Sequence, residues 1–242
     1  MSAVAAAIRT LATAVLVSLY VFVLGPPLLL WAAVFKDARP LYAAGSGGVW
    51  LGLALAGIRL RVIGPVHTSP AVYASNHNSN VDAPAVFYAL RSLFPRLRIL
   101  YKAELRKLPV LVWAFDAAGF VPLERANPDQ SRPAVDRAVT AIHDGNSFLI
   151  FPEGTRSRTG ELLPFKKGGI VMAIKAQAPV IPVAVSGGRA AMKKGSPLIW
   201  PTTVTVEFGE PVPTAGCTFD DRDLVIDRVR QAIDARLRAG VR

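Results

Sequence analysis

The strongest constraint on the fold is a long apolar run near the start of the chain. Residues 11–35 contain no charged side chain. At ~1.5 Å of rise per residue, a helix of this length reaches across the ~30 Å apolar core of a bilayer. Because Pro26 and Pro27 remove backbone donors inside the run, we expect it not to form one straight helix. The run predicts a membrane segment rather than a helix buried in a soluble core.

A second apolar run, residues 41–58, follows a short polar connection and leads to Arg59 and Arg61. Two arrangements fit the pair of runs. One is a transmembrane hairpin that leaves Arg9, Arg59 and Arg61 on the cytoplasmic side. The other is a helical hairpin embedded in one leaflet. A cleaved signal peptide fits poorly, because the apolar stretch is too long and no clear small-residue cleavage site follows it.

The composition narrows the classes of function. The chain carries a net charge of +11, which favours anionic partners such as nucleic acid, anionic lipid or phosphorylated substrates. Its one cysteine, Cys217, excludes an intrachain disulfide and a cysteine-based metal site. The three histidines are widely spaced and argue against a zinc centre, so we predict no metal.

After residue 60, strand-like runs alternate with helix-like runs. The predicted strands are 72–75, 98–101, 119–123, 147–151, 180–185 and 204–208, and the predicted helices are 83–93, 110–118, 133–143, 167–177 and 220–237. This alternation predicts an α/β domain, residues 61–242, with a largely parallel central sheet flanked by helices; residues 1–60 form the membrane-associating helical hairpin. Ligands of such sheets bind beyond the carboxyl ends of the strands.

A histidine and an aspartate follow the first of these strands. His77 stands five positions before Asp82, and we expect Asp82 or Asn80 to cap the next helix. A histidine is a general base at neutral pH, and a carboxylate on its far ring nitrogen fixes the tautomer and stabilises the imidazolium. Since Ser79 lacks the context of a nucleophile elbow, the pair predicts a base that activates a hydroxyl of the substrate. A structural histidine beside a plain helix cap is the other interpretation.

A second polar block follows the predicted strand 147–151. Arg156 is suited to bind a phosphate through two parallel hydrogen bonds, Thr155 adds a hydroxyl, and Gly154 lets the backbone approach closely. Because Glu153 would repel a phosphate, we expect it to orient Arg156 or a neighbouring amide. The block predicts a phosphate-binding loop, with a solvated turn as the alternative.

Taken together, the two blocks resemble the glycerolipid acyltransferases with a His-X4-Asp motif, in particular the 1-acylglycerol-3-phosphate acyltransferase family. Two more segments add to the resemblance: residues 119–125, which end in Leu-Glu-Arg where the family often has Ile-Asp-Arg, and residues 180–183, an apolar strand with an embedded proline. The resemblance implies that Arg125 binds the glycerol phosphate. Lys102 resembles another recurrent basic position, either facing phosphate or solvated.

The resemblance implies an O-acyltransferase that moves a fatty acyl group to the sn-2 hydroxyl of 1-acylglycerol 3-phosphate and forms phosphatidic acid for phospholipid biosynthesis. The expected donor is acyl-CoA or acyl-carrier protein, with no cofactor, and the expected place is the cytoplasmic face of the inner membrane. Another lysolipid acceptor, such as lyso-ornithine lipid, another lysophospholipid or a glycolipid, remains an alternative. A non-catalytic basic lipid- or nucleic-acid-binding module is more remote, and since no nucleic-acid motif accompanies the charge we predict no nucleic-acid partner.

Overall fold

The computed structural model describes residues 2–107, 109–124 and 128–239. The helices are α1 (Ala3–Phe35), α2 (Arg39–Leu55), α3 (Asp82–Ala89), α4 (Pro109–Ala117), α5 (Pro128–His143), α6 (Gly168–Lys175), α7 (Gly188–Ala191) and α8 (Arg222–Ala239). The strands are β1 (Ile58–Ile63), β2 (Val72–Ser75), β3 (Leu97–Lys102), β4 (Val121–Leu123), β5 (Ser147–Ile150), β6 (Val180–Ser186) and β7 (Thr202–Phe208). Short 3₁₀ turns cover Arg91–Leu93, Ala103–Lys107 and Phe219–Asp221.

Within the described residues, seven strands form one sheet in the order β1-β7-β6-β2-β5-β3-β4. The strands β6, β2, β5, β3 and β4 are parallel to one another, while β7 is antiparallel to β6 and parallel to β1. The carboxyl ends of the five parallel strands therefore lie along one edge, called the site edge below. This arrangement confirms the predicted α/β class with a largely parallel sheet.

Helices cover both faces of the sheet. The core of one face lies between the strands and α5, α6 and α8, with Ala138, Ile170 and Val229 fully buried. The core of the other face lies under α2 and α3, where Leu53 and Val86 pack on the strands. Strands buried on both faces read as continuous apolar runs, which is why β2, β5 and β6 were recognisable in the sequence.

The N-terminal hairpin consists of α1 and α2. Pro26 and Pro27 lie inside α1 but do not end it, so the run expected to be interrupted is one helix from Ala3 to Phe35. The Tyr20 hydroxyl donates to Ala44 O at 2.9 Å, and a Cβ at Gly47 would lie only 2.8 Å from the Tyr20 oxygen. Glycine in α2 therefore makes room for an aromatic ring of α1 and lets the two helices approach.

Hydrogen bonds add to the packing that attaches the hairpin to the α/β domain. The amide of Ile199 donates to Thr10 Oγ1 at 2.9 Å, near the start of α1. The buried Tyr42 hydroxyl of α2 donates to Leu97 O and lies 3.1 Å from Ala118 O. Strand β1 begins three residues before the predicted boundary at residues 60 and 61, so α2 leads directly into the sheet.

Most side chains of α1 are exposed. The helix is long and apolar enough to cross a bilayer, and only 6% of its most apolar 18-residue window is buried. The exposed apolar side chains lie on more than one face of the helix, and they include Val4, Ile8, Leu11, Val15, Leu16, Leu19, Val21, Phe22, Val23 and Leu24. An exposed apolar surface of this extent suits association with a membrane.

Candidate active site

Both polar blocks of the sequence lie at the site edge. Strands β2 and β5 are parallel neighbours, with Val72 opposite Phe148 in register. The histidine block follows the end of β2, and the arginine block follows the end of β5. The topology therefore brings together two segments that are about 75 residues apart in the chain.

His77 and Asp82 are in contact. His77 Nδ1 lies 3.1 Å from Asp82 Oδ2, and the same oxygen accepts from the amides of Asn78 at 2.5 Å and Ser79 at 2.6 Å. The Asp82 side chain is 1% exposed and that of His77 19%. Because Asp82 Oδ2 accepts from Nδ1, the ring proton of His77 is directed inward and Nε2 is left to face a substrate.

The predicted N-cap of α3 is wrong. Val81 occupies the cap position, and Asp82 is the first helical residue of α3, so neither Asn80 nor Asp82 caps the helix. The carboxylate of Asp82 instead turns back on the loop amides and the imidazole. Its charge still lies at the N-terminus of α3, where the helix dipole stabilises an anion.

The second oxygen of Asp82 is buried against a glycine. Asp82 Oδ1 has no hydrogen-bond partner among the described residues. A Cβ added at Gly188, in the first turn of α7, would lie 2.1 Å from this oxygen. Gly188 therefore sets the position of the aspartate, since any larger residue would push the carboxylate towards the histidine loop.

Contacts to the backbone and to the ring of His77 hold it in place. Its amide donates to Glu153 Oε1 at 2.6 Å, and its carbonyl accepts from the amide of Ser157 at 2.7 Å. The ring of Phe151 packs on the imidazole at a centroid distance of 4.4 Å. Before it in the chain, the buried side chain of Asn76 bonds both backbone groups of Val185, at 2.7 and 2.9 Å. These contacts fix the histidine relative to β5 and β6.

Glu153 is a buried residue that binds backbone rather than Arg156. Its second oxygen accepts from the amide of Leu163 at 3.0 Å, so the two oxygens join the histidine block to the loop after β5. Burial raises the pKa of Glu153 above its usual range, against the opposing effect of these amide donors. Of the two roles expected for Glu153, the structure shows the orientation of a neighbouring amide.

Beyond Glu153, Thr155 is exposed and Arg156 is half-buried. Arg156 Nη1 donates to Asn80 Oδ1, which ties the block to the histidine loop. Gly154 has a φ of +70°, and Lys166 lies over it, where a Cβ would meet the lysine chain at 2.9 Å. The exposed Thr155 hydroxyl lies 3.3 Å from Lys194 Nζ. Cations and hydroxyls therefore surround this loop.

Comparisons with known proteins agree with this geometry. Residues 58–186, more than half of the chain, match the acyltransferase family model. A 1-acyl-sn-glycerol-3-phosphate acyltransferase of Limnanthes douglasii is 33% identical over 216 residues, which cover 87% of this chain and 73% of the plant protein. The chain belongs to the 1-acylglycerol-3-phosphate acyltransferase family.

Other relatives of this acyltransferase extend the comparison. The 1-acyl-sn-glycerol-3-phosphate acyltransferase alpha of Homo sapiens is 31% identical over 189 residues, covering 74% of this chain and 64% of the human protein. The crystal structure of PlsC, the 1-acyl-sn-glycerophosphate acyltransferase of Thermotoga maritima, superposes with a TM-score of 0.78 at 24% identity. That alignment covers 97% of both chains, so the two proteins share the fold over nearly their whole lengths.

Two predicted site residues, Lys102 and Arg125, belong to neither block. Lys102 ends β3 at the site edge, is half-exposed, and forms a 2.8 Å ion pair with Glu104. Arg125 lies outside the described residues, and β4 ends at Leu123, two positions before it. The amide of Gly154 donates to Phe151 O at 3.0 Å.

Three residues of the site were missed from the sequence: Asn76, Gly188 and Lys194. Asn76 directly precedes the histidine, and Gly188 belongs to a glycine pair after a strand, a pattern that indicates close backbone approach. Lys194 carries no such signal. Across the described ranges, no three His, Cys, Asp or Glu side chains cluster in a way that could hold a metal ion.

Proposed function

We propose that this acyltransferase moves a fatty acyl group from a thioester to the sn-2 hydroxyl of 1-acylglycerol 3-phosphate, giving phosphatidic acid. The observation that carries the proposal is a histidine paired with a buried aspartate, in a block that Asn80 joins to Arg156. The pair supplies a base, and the loop supplies charge for a phosphate beside it. The curated relatives are named for the same acceptor.

The hydroxyl that reacts belongs to the acceptor rather than to the protein. Ser79, the one hydroxyl inside the histidine block, is buried and donates its proton to Met192 O at 2.8 Å. Cys217 lies near Gln177, beyond the C-terminal end of α6 and away from the site edge. Since neither group is placed as a nucleophile beside His77, the proposal is a direct transfer without an acyl-enzyme.

In the proposed mechanism, His77 Nε2 takes the proton of the acceptor hydroxyl as its oxygen attacks the thioester carbonyl. Asp82 holds the ring and stabilises the imidazolium that forms. When the carbon–sulfur bond breaks, His77 returns the proton to the thiolate, so the free thiol of the donor and the new ester are released. Arg156, Arg125 and Lys102 hold the acceptor phosphate, and this positioning supplies part of the rate.

The hairpin supports the choice of a lipid acceptor. The exposed apolar surface of α1 is joined to the α/β domain through Thr10 and the segment before β7, so membrane association would hold the domain at the bilayer. Acyl chains could then reach the site without crossing water, whose contact with them is unfavourable. We place the protein at the cytoplasmic face of the inner membrane, where acyl-CoA and acyl-carrier protein are available as donors.

The test is an activity screen with the full chain in phospholipid vesicles. Acyl-CoA and acyl-carrier-protein donors are each paired with lysophosphatidic acid, a lysophospholipid with a larger headgroup, lyso-ornithine lipid and a lysoglycolipid. We expect thiol release and phosphatidic acid, detected by mass spectrometry, with lysophosphatidic acid as the best acceptor. Faster acylation of a phosphate-free acceptor would show that the arginine loop serves another group.

A further inference from the structure

Lys194 is a cation at the site that the mechanism above does not use. Its ammonium donates to Arg156 O at 2.7 Å and lies 3.3 Å from Thr155 Oγ1. It therefore belongs to the arginine loop, although it comes from a segment 38 residues later. An ammonium group has three donors, and two are directed at this loop, so one remains for a ligand.

The segment that carries Lys194 is attached to the histidine block. It follows β6, which is the neighbour of β2 at the site edge. Met192 O accepts from Ser79 Oγ at 2.8 Å, and Met192 Sδ accepts from Asn80 Nδ2 at 3.4 Å. Asn80 also binds Arg156, so a connected set of hydrogen bonds links the Arg156 guanidinium, the Lys194 segment and the histidine block.

Among the described residues, no carboxylate offsets the charges of Lys194 and Arg156. Within the described part of the chain, neither Lys194 nor Arg156 forms an ion pair with a carboxylate. Glu153 is close in sequence, but it is buried and both of its oxygens accept from backbone amides. Two neighbouring cations repel each other, and a bound anion would remove that cost.

We propose that Lys194 is a phosphate-binding residue of this site, contributed by the segment after β6. This inference rests on the proposed function. The ligand is a phosphate group that is carried either by the lysolipid acceptor or by the donor, whose CoA or phosphopantetheine arm also bears phosphate. Lys194 binds it together with Arg156, and the hydroxyl of Thr155 lies beside both.

The test compares three variants with the wild type. Lys194→Gln removes the charge and keeps a donor for Arg156 O, while Lys194→Arg keeps the charge. Lys193→Gln is the matched control, because Lys193 is the exposed neighbour and its loss changes the net charge equally. The KM of the acceptor is measured at saturating donor, and the KM of the donor at saturating acceptor, with kcat in both series.

For Lys194→Gln we expect one KM to rise about tenfold or more, the size of a lost hydrogen bond to a charged group. Lys194→Arg should keep that KM within about threefold, and Lys193→Gln should leave it unchanged. A rise for the acceptor assigns the phosphate to the lysolipid, and a rise for the donor assigns it to the carrier. The proposal is overturned by a Lys194→Gln variant with both KM values unchanged, or by an equal rise in Lys193→Gln.

A binding measurement separates this inference from the proposed function. The midpoint of thermal unfolding is recorded in inorganic phosphate and in chloride of equal ionic strength. Phosphate should raise the midpoint of the wild type and of Lys193→Gln, and raise it less in Lys194→Gln. If the wild type acylates none of the acceptors but Lys194→Gln loses the phosphate effect, the proposed function fails and the phosphate site stands. An equal effect of phosphate in all three chains rejects the site.

Discussion

The two polar blocks meet at one edge of the sheet, but they are built differently. In the histidine block, Asp82 is completely buried, and three donors converge on one of its oxygens. In the arginine block, the buried members Glu153 and Ser157 bind backbone, while Thr155 is exposed and Arg156 is half-buried. One block is held in place by its neighbours, and the other keeps its cations accessible.

The difference follows from what each block has to do. A base must hold one orientation and one tautomer before the substrate arrives, and buried amide donors fix both. Groups that bind a phosphate must exchange water for the ligand, so they remain near solvent. Variants of the histidine block should therefore change kcat, and variants of the arginine block should change KM.

The largest effect is expected for His77→Ala. Without a base, kcat should fall by about 10³-fold while the acceptor KM changes little, because the phosphate contacts remain. Steady-state thiol release measures both constants. His143→Ala is the matched control, since His143 is exposed at the end of α5 and should leave activity unchanged. Near-normal acyl transfer by His77→Ala would rule out the base assignment.

The next effect is that of Asp82→Asn. An asparagine keeps the shape but presents an amide group where three donors converge, so kcat should fall by about 10²-fold. The imidazolium that forms in the reaction also loses its counter-charge, which adds to the loss of kcat. The exposed Asp144→Asn serves as control. Full kcat in Asp82→Asn would show that Asp82 does not act on His77.

Arg156→Ala tests the other block. Loss of a charged hydrogen-bond donor should raise the acceptor KM by about tenfold or more, with a smaller change in kcat. Arg158→Ala is the control, because Arg158 is exposed in the same loop two positions later. An equal loss of activity with phosphate-bearing and phosphate-free acceptors would contradict a phosphate-binding role.

Gly188→Ala tests whether a residue outside both blocks positions Asp82 and so changes kcat rather than KM. Its Cβ would lie 2.1 Å from Asp82 Oδ1, so the carboxylate must move, and kcat should fall about tenfold with KM retained. Gly168→Ala is matched to it, since a Cβ there meets nothing within 4 Å. If Gly188→Ala keeps the wild-type kcat and pH profile, the contact does not position Asp82.

The smallest effect concerns stability. Because burial raises the pKa of Glu153 above 4.5, ionising this residue costs more in the folded chain than in the unfolded one. Its contribution to the free energy of unfolding is therefore complete below the unfolded pKa and declines as pH rises through the folded pKa. In Glu153→Gln this decline should disappear. Chemical denaturation at several pH values measures the free energy of unfolding of both chains. An identical pH dependence in both chains would show that Glu153 does not titrate as described.

Much of the fold was predictable because its signals are local. The buried strands read as apolar runs, and α8 shows its buried face at Ile226, Val229 and Ile233. Strand β1 was missed, since Arg59 and Arg61 interrupt its apolar character and were assigned to the flank of a membrane segment. The cap of α3 was wrong because the aspartate that suits a helix cap binds the loop amides and the histidine instead.

By itself, the sequence determined the element types, the apolar hairpin, and the two blocks with His77, Asp82, Glu153 and Arg156. These depend on periodicity and short spacing, which act between near neighbours in the chain. Only the tertiary structure decided which distant residues complete the site: Asn76 against Val185, Gly188 against Asp82, and Lys194 against Arg156. Strand order creates those contacts across 38 to 109 residues, and no local pattern records them, because side chains so far apart meet only when the sheet is assembled.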